Sequence, residues 1–511
     1  MSPRHTGPVV LPDDPHDAAL LAAVAPPDWQ NPDPAARYDL VVLGAGTAGL
    51  VSAAIASGLG ARVALVERAL MGGDCLNVGC VPSKALIRAG RFVADARAAA
   101  AVGVAPPDGA RPDFAAAMER MRAIRAGIAP HDSARRFRDE LGVDVFLGAG
   151  RFVGPDAAQV DGRRLRFRRA IVATGARAGA PPIPGLADAG FLTNESVFAL
   201  REPPARLAVI GGGPIGCELA QAFARLGVAV TLFEVAARLL ERDDPEAGAI
   251  VARALARDGV RVLCGAKIEG VSRDGAGKRL RFAAAGADAG DEGFDEVLVA
   301  AGRVPNVEDM GLEAAGVGFD PRRGVAVDDF LRTANRRVYA IGDCAMEAKF
   351  THAADAAAKI AVQNALFYGR KRLSKLVVPW CTYTDPEVAH VGLTPQQAEQ
   401  QGIAIDTYTV ELSSNDRART EGDTEGFARL HTRKGTDRIA GATLVGANAG
   451  DQIALLTAAM TAGLGLGALA GTILPYPTRA MAVTGAANAY LRTRLTPLAK
   501  RALGLVLRLP H

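Results

Sequence analysis

The chain has 511 residues, 49% of them apolar and 22% charged, with a formal net charge of +4. That length holds about three domains of roughly 150 residues, enough to bury several cores without disulfide or metal staples. A charge so near balance gives nucleic-acid binding no support, six cysteines are too sparse for a secreted disulfide framework, and the apolar runs break at Gly, Arg or Asp before the ~18 residues of a bilayer span. The start lacks the basic and apolar stretches of a signal peptide, so a cytoplasmic protein with no transmembrane segment is expected.

Residues 1–37 are rich in Pro, Asp and Ala and end in Asn31-Pro32-Asp33-Pro34, which predicts an extended, loosely packed extension. From Tyr38 the pattern changes. An apolar run over 40–43, a glycine turn, a small-residue helix to about Leu59 and a strand over 62–66 make a βαβ opening. Gly44, Gly46 and Gly49 form the turn as G-x-G-x-x-G, and Glu67 closes the second strand. Glycines here allow a tight turn and close backbone approach, the helix N-terminus faces a pyrophosphate, and the acid accepts bonds from ribose hydroxyls.

Between residues 113 and 138 the pattern reads as one helix, and 143–172 is β-rich, closing with Ala173-Thr174-Gly175. The nucleotide pattern then recurs as a strand over 207–210, the glycines Gly211, Gly213 and Gly216, a helix over about 215–226, a strand over 228–233, and Glu234. Two dinucleotide sites are therefore predicted. A carboxylate at Glu234 suits the free ribose of NADH and repels the extra phosphate of NADPH, although Arg238 four residues on would offset part of that repulsion. Beyond Val378 strands and two helices make a third unit, and 495–511 reads as a basic amphipathic helix covering it, with a membrane-surface anchor as the alternative.

Cys75 and Cys80 stand in Gly72-Gly73-Asp74-Cys75-Leu76-Asn77-Val78-Gly79-Cys80-Val81-Pro82-Ser83-Lys84. Four residues between them, one a glycine, let the chain fold back so that the sulfurs approach; a thiolate at a helix start is stabilised by the helix dipole and a nearby cation. The surrounding Gly, Asp and Asn are poor core material, and no second Cys/His pair lies at metal-ligand spacing, so a redox dithiol and no metal site are predicted. Cys217, Cys264, Cys344 and Cys381 are isolated and read as packing residues.

The Gly72 to Lys84 segment resembles the active-site signature of the class I pyridine nucleotide disulfide oxidoreductases, which include dihydrolipoamide dehydrogenase, glutathione reductase and mercuric reductase. The likeness runs from about Tyr38 to Arg494 and takes in Ala173-Thr174-Gly175, the second glycine motif with Glu218, the stretch Ala300-Ala301-Gly302-Arg303-Val304-Pro305-Asn306, and Tyr339-Ala340-Ile341-Gly342-Asp343. It implies an α/β fold of two Rossmann-like dinucleotide-binding domains plus a C-terminal α+β dimerisation domain. FAD-binding residues would span 38–187 and 306–377, NAD(P)-binding residues 188–305 and the dimerisation domain 378–495, between the extension 1–37 and the tail 496–511. The resemblance assigns FAD to Gly44, Gly46, Gly49, Glu67, Gly73, Lys84, Thr174, Gly175 and Asp343. To NAD(P)H it assigns Gly211, Gly213, Gly216, Glu218, Glu234 and Gly302. Lys84 and Glu218 would pair beside flavin and nicotinamide, Cys80 would lie against the flavin as the charge-transfer thiolate, and Cys75 would exchange with substrate. Electrons would pass from NAD(P)H through FAD to the Cys75–Cys80 disulfide and on to an acceptor.

Near the C-terminus the likeness departs from the disulfide reductases. There a His-Pro-Thr segment and a following Glu come from the partner subunit, and the His moves the proton of thiol exchange. Here the run is Ile473-Leu474-Pro475-Tyr476-Pro477-Thr478-Arg479-Ala480-Met481, with Tyr476 in place of the His and Met481 in place of the Glu. A tyrosine of ordinary pKa near 10 is a poor base at neutral pH, whereas a phenol can help hold a thiol-bound metal. That run, with Leu495-Thr496-Pro497, is similar to the mercuric-reductase-like subgroup, and implies a homodimer in which Tyr476 acts on the other subunit's Cys75. The tail carries no Cys-Cys pair and the N-terminus no Cys-x-x-Cys, so a thiophilic metal ion stands beside quinones and small disulfides as candidate acceptor. A dihydrolipoamide dehydrogenase or other small-disulfide reductase, a flavin-containing redox sensor, and an NADH oxidase that bypasses the dithiol are the competing readings. His352 either lies near the flavin or packs a helix start.

Overall fold

Apolar residues with no solvent-facing alternation run through Tyr38–Leu43 (β1) and Val63–Glu67 (β2), and Leu40, Val41, Val42, Ala64 and Leu65 are fully buried. Strands covered on both faces belong inside a parallel sheet. β1 pairs in parallel with β2, Leu40 opposite Val63, and Thr47–Gly58 (α2) makes the crossover between them. Asp144–Leu147 (β3), Arg151–Gly154 (β4), Ala157–Val160 (β5) and Arg163–Val172 (β6) complete the order β3-β2-β1-β6-β5-β4, with Val338–Ala340 also paired to β6. The return strand Val338–Ala340 leads into Gly342, where an added Cβ would lie 3.4 Å from the Ala48 side chain of the first glycine turn.

The computed structural model describes residues 7–105, 111–284 and 287–509. The chain divides into two compact units, Met1–Val235 with Asp258–Leu376, and Ala236–Arg257 with Val377–His511. Besides the sheet above, the first unit holds a parallel sheet in the order Arg261–Cys264, Ala229–Glu234, Arg206–Ile210, Glu296–Val299, with helix Pro214–Arg225 following the second glycine turn. The second unit is built on a five-stranded antiparallel sheet ordered Pro379–Thr382, Glu387–Gly392, Ile439–Gly446, Phe427–Arg433, Ile405–Glu411. Helices Ala449–Thr461 and Met481–Thr493 bury Leu456, Val483 and Ala486 against one face of it.

Three expectations are corrected. The extension is not loosely packed: Pro15–Val24 is a helix (α1), capped by Asp14 and started by Pro15, with Asp17, Leu20 and Val24 fully buried. The single helix expected over 113–138 is broken, because Pro130 lies in a 3-10 turn at Ala129–Asp132 and Ser133 caps a separate helix, Ala134–Asp139. The tail does form a helix, Pro497–Val506, yet none of its residues is buried, so it does not cover the unit. Its Leu498, Leu503, Leu505 and Val506 side chains are exposed. Among the described residues no helix is long and apolar enough to cross a membrane.

Candidate active site

After β2 the chain turns through Gly72 into a short helix, Gly73–Asn77 (α3), and then into Cys80–Ala98 (α4), so each cysteine lies on a helix and Cys80 opens the longer one. Both thiols are free, Cys75 half-buried and Cys80 exposed. A hydrogen bond from Cys75, above all, holds Cys80 down to about 6, against the partial desolvation of a sulfur that faces the protein although the residue is exposed; Thr351 and Lys84 add to the lowering and Glu218 opposes it. Cys75 is pushed far above the thiol range, first by that same bond and then by burial and the Cys80 charge. The proton between the two sulfurs thus stays on Cys75, which donates it to the Cys80 thiolate.

The Thr351 Oγ1 lies 3.5 Å from the Cys80 Sγ, at the first turn of a helix running Thr351–Leu366. One turn into α4, Lys84 Nζ pairs with Glu218 Oε2 at 2.7 Å, Glu218 being buried and Lys84 half-exposed. Nothing in the sequence pointed to Thr351. His352, its neighbour, stacks on the Phe350 ring at 5.4 Å between centroids.

Both glycine turns form as expected. A Cβ on Gly49 would sit 1.8 Å from the Gly44 carbonyl oxygen, and one on Gly216 would meet Gly211 at the same distance, so helix and turn touch backbone to backbone. Gly73, at φ +57°, brings α3 against Gly46 so closely that its Cβ would lie 2.7 Å from the Gly46 Cα. Glu67 accepts from the Ala45 amide at 2.7 Å and Glu234 from the Gly212 amide at 2.5 Å, so each acid reaches back to its own turn. Burial pushes the Glu67 carboxyl up, with the Ala45 and Ala69 amides opposing.

Arg303 ties α3 to the return strand: it pairs with Asp74, donates to the Ala176 carbonyl at 2.6 Å and approaches Asp343 at 3.2 Å. Burial pushes the Asp343 carboxyl up, opposed by Arg303 and Lys349. Glu195, near Asp74 and Arg303, is raised to about 7 by burial and then by the Asp74 charge. Thr174 and Asn306 exchange bonds at 2.7 and 3.0 Å, Gly175 accepts from the Asn306 amide at 3.0 Å, and Gly302 accepts from the Gly179 amide at 2.9 Å. Tyr476 belongs to the other unit, where its exposed hydroxyl donates to Asp416 at 3.1 Å, and that bond raises its pKa. Among the described residues no group of three or more His, Cys, Asp or Glu could hold a metal ion.

The sequence profile of the pyridine nucleotide-disulphide oxidoreductases matches residues 38–359, and that of their dimerisation domain matches 378–487. The chain belongs to the pyridine nucleotide-disulphide oxidoreductases. A mercuric reductase of Bacillus cereus is 36% identical over 87% of this chain and 70% of its own length. A dihydrolipoyl dehydrogenase of Thermus scotoductus is 35% identical over 88% of the chain and 97% of its own. Among solved structures, the Cu(II) complex of the HOCl-induced flavoprotein disulfide reductase RclA from Escherichia coli superposes with a TM-score of 0.78 at 26% identity, covering 89% of this chain and all (100%) of that one.

As a pyridine nucleotide-disulphide oxidoreductase the enzyme uses FAD and NAD(P)H to serve a dithiol. Its residues fit both groups. α2 and the helix Pro214–Arg225 are each capped by a glycine, with no side-chain cap and no acid in the first turn, so the backbone amides of that turn, which Pro214 itself lacks, suit a pyrophosphate.

Proposed function

We propose that this enzyme delivers electrons from NAD(P)H to a soft, thiol-binding divalent metal ion at Cys75 and Cys80, Hg(II) being the first to test. The observation that carries this is Tyr476. A disulfide substrate needs a group that takes and returns a proton near neutral pH, and a phenol bonded to Asp416 with its pKa raised cannot do so. A thiophilic cation needs none, because binding it to the Cys75 sulfur displaces the proton to water. The mercuric reductase relative and the Cu(II) complex of RclA support the same class of acceptor.

FAD, when bound, supplies the two-electron relay between nicotinamide and dithiol. The first glycine turn with Glu67, Gly73, Lys84, Thr174, Gly175 and Asp343 would hold it; the second turn with Glu218, Glu234 and Gly302 would hold NAD(P)H. Glu218 fixes Lys84 one turn from Cys80. Cys80 stays ionised at neutral pH while Cys75 keeps its proton until the cation arrives. The reaction balances as NAD(P)H and M(II) giving NAD(P)+, a proton and M(0). NADH is the preferred donor, a reading supported by Glu234, whose carboxylate reaches back to the Gly212 amide and would suit a free ribose, and by Arg238, which donates to the Leu240 and Glu241 carbonyls. The dimerisation profile supports a homodimer in which Tyr476 completes the other subunit's site.

Anaerobic stopped-flow mixing of NADH-reduced enzyme with Hg(II), lipoamide and glutathione disulfide tests the reading. Rapid reoxidation by Hg(II) that is abolished in Cys75→Ser is expected. Reoxidation by lipoamide at an equal or greater rate would instead establish a dihydrolipoamide dehydrogenase.

A further inference from the structure

The extension preceding Tyr38 lies outside the matched family domain, yet its contacts converge on the loop between the two cysteines. Asp17, fully buried on α1, pairs with Arg125 at 2.5 Å, and Arg125 is itself only 1% exposed. Arg125 lies on Phe114–Ile128 (α5), and a second of its guanidinium nitrogens, Nη1, donates to the carbonyl of Asn77 at 2.6 Å. The other Asp17 oxygen accepts from the Leu11 amide, and the last residue of α1, Val24, accepts from Met71 just ahead of the loop. A second route runs beside it. The Val9 amide donates to the Glu195 carbonyl at 2.8 Å, while the adjacent, buried Asn194 donates from Nδ2 to the carbonyl of Val78 at 3.2 Å.

The two carbonyls held in this way belong to consecutive peptides. Because a peptide is planar, fixing a carbonyl fixes the N–H on its far side: the Val78 amide is turned to the Asp74 carbonyl at 2.9 Å, closing α3. The Gly79 conformation that follows sets the start of α4, whose first residue is Cys80. A buried guanidinium keeps its place only while its carboxylate is there, since an unpaired buried charge is costly.

We infer that the extension is a positioning brace for the dithiol, acting through the Asp17–Arg125 pair on the Asn77 carbonyl and, with Val9 and Asn194, on the Val78 carbonyl. Asp17 and Arg125 touch no sulfur; they set where the Cys80 thiolate stands relative to Cys75 and Thr351. The inference rests on the dithiol reading above.

The test is pH-dependent carbamidomethylation of the reduced holoenzyme, each thiol read by peptide mass, alongside melting curves. The double variant Asp17→Asn/Arg125→Met replaces a buried ion pair by groups of similar size and keeps the fold while removing the donor to Asn77. Its Cys80 midpoint is expected to rise by about one pH unit, roughly a tenfold loss of thiolate below the midpoint. Asp17→Glu keeps the wild-type midpoint, as does Asp13→Ala, which breaks only the exposed pair with Arg201. An unchanged Cys80 midpoint in the folded double variant overturns the inference, and so does a double variant that cannot fold, because the pair is then purely structural. If wild-type Cys80 titrates in the ordinary thiol range, the dithiol reading itself falls.

Discussion

Replacing Cys75 with alanine removes the largest single support of the Cys80 thiolate. A hydrogen bond to a charged acceptor contributes about 1.5–3 kcal/mol, which is about one to two pH units on a thiol. From a wild-type value of about 6, Cys80 in Cys75→Ala should therefore titrate between about 7 and 8, with Thr351 and Lys84 still holding it below an isolated thiol. Cys75→Ser keeps a donor and should shift less; Thr351→Val, losing a contact of 3.5 Å, should also shift less than Cys75→Ala. The alkylation rate at one pH is a poor readout, because a thiolate of higher pKa is more nucleophilic and offsets much of its lower abundance. The midpoint of the full pH curve, with peptide mass identifying the thiol, avoids that compensation. A Cys75→Ala enzyme with the wild-type midpoint, or a larger shift in Thr351→Val, would refute the assignment of Cys75 as principal donor.

Gly49→Ala places a Cβ 1.8 Å from the Gly44 carbonyl oxygen, so the first turn must open; the variant should purify without flavin, and a normal flavin absorbance per chain would contradict this. His390 and His431 are held down to about 4, first of all by burial, against an ordinary 6.5. The unfolded chain then binds more protons than the folded one between about pH 4 and 6.5, so stability falls as pH drops through that window, by at most about 1.4 kcal/mol per pH unit for each histidine, and levels off below it. Denaturant titrations across that range should show the slope, and His390→Asn/His431→Gln should flatten it. Steady-state KM values should favour NADH over NADPH by about tenfold or more, and Glu234→Ala should narrow that ratio; equal KM values in wild type would remove Glu234 from the ribose site.

Both glycine turns were legible because their demands are local: Gly49 and Gly216 meet a carbonyl where a Cβ has no room, and the acids that serve those turns stand at the ends of the next strands. The dithiol was legible for a similar reason, since the glycine between the cysteines belongs to the loop that brings them together. The Lys84–Glu218 pair spans 134 residues and came from family resemblance, not from spacing. Thr351, Arg125 and Asn194 were invisible, because each reaches the site from a distant element and no periodicity marks it. The extension was misread from its Pro and Asp content, although Asp14-Pro15 is itself a helix-start signal. Burial of Asp17 depends on a partner 108 residues away, which composition cannot show.

The most direct measurement is an anaerobic NADH titration of the purified holoenzyme, followed from about 400 to about 700 nm, for wild type and Cys80→Ser side by side. A long-wavelength thiolate-to-flavin band should grow in wild type and be missing from Cys80→Ser. Identical spectra in the two proteins, or a wild type without flavin, would contradict this.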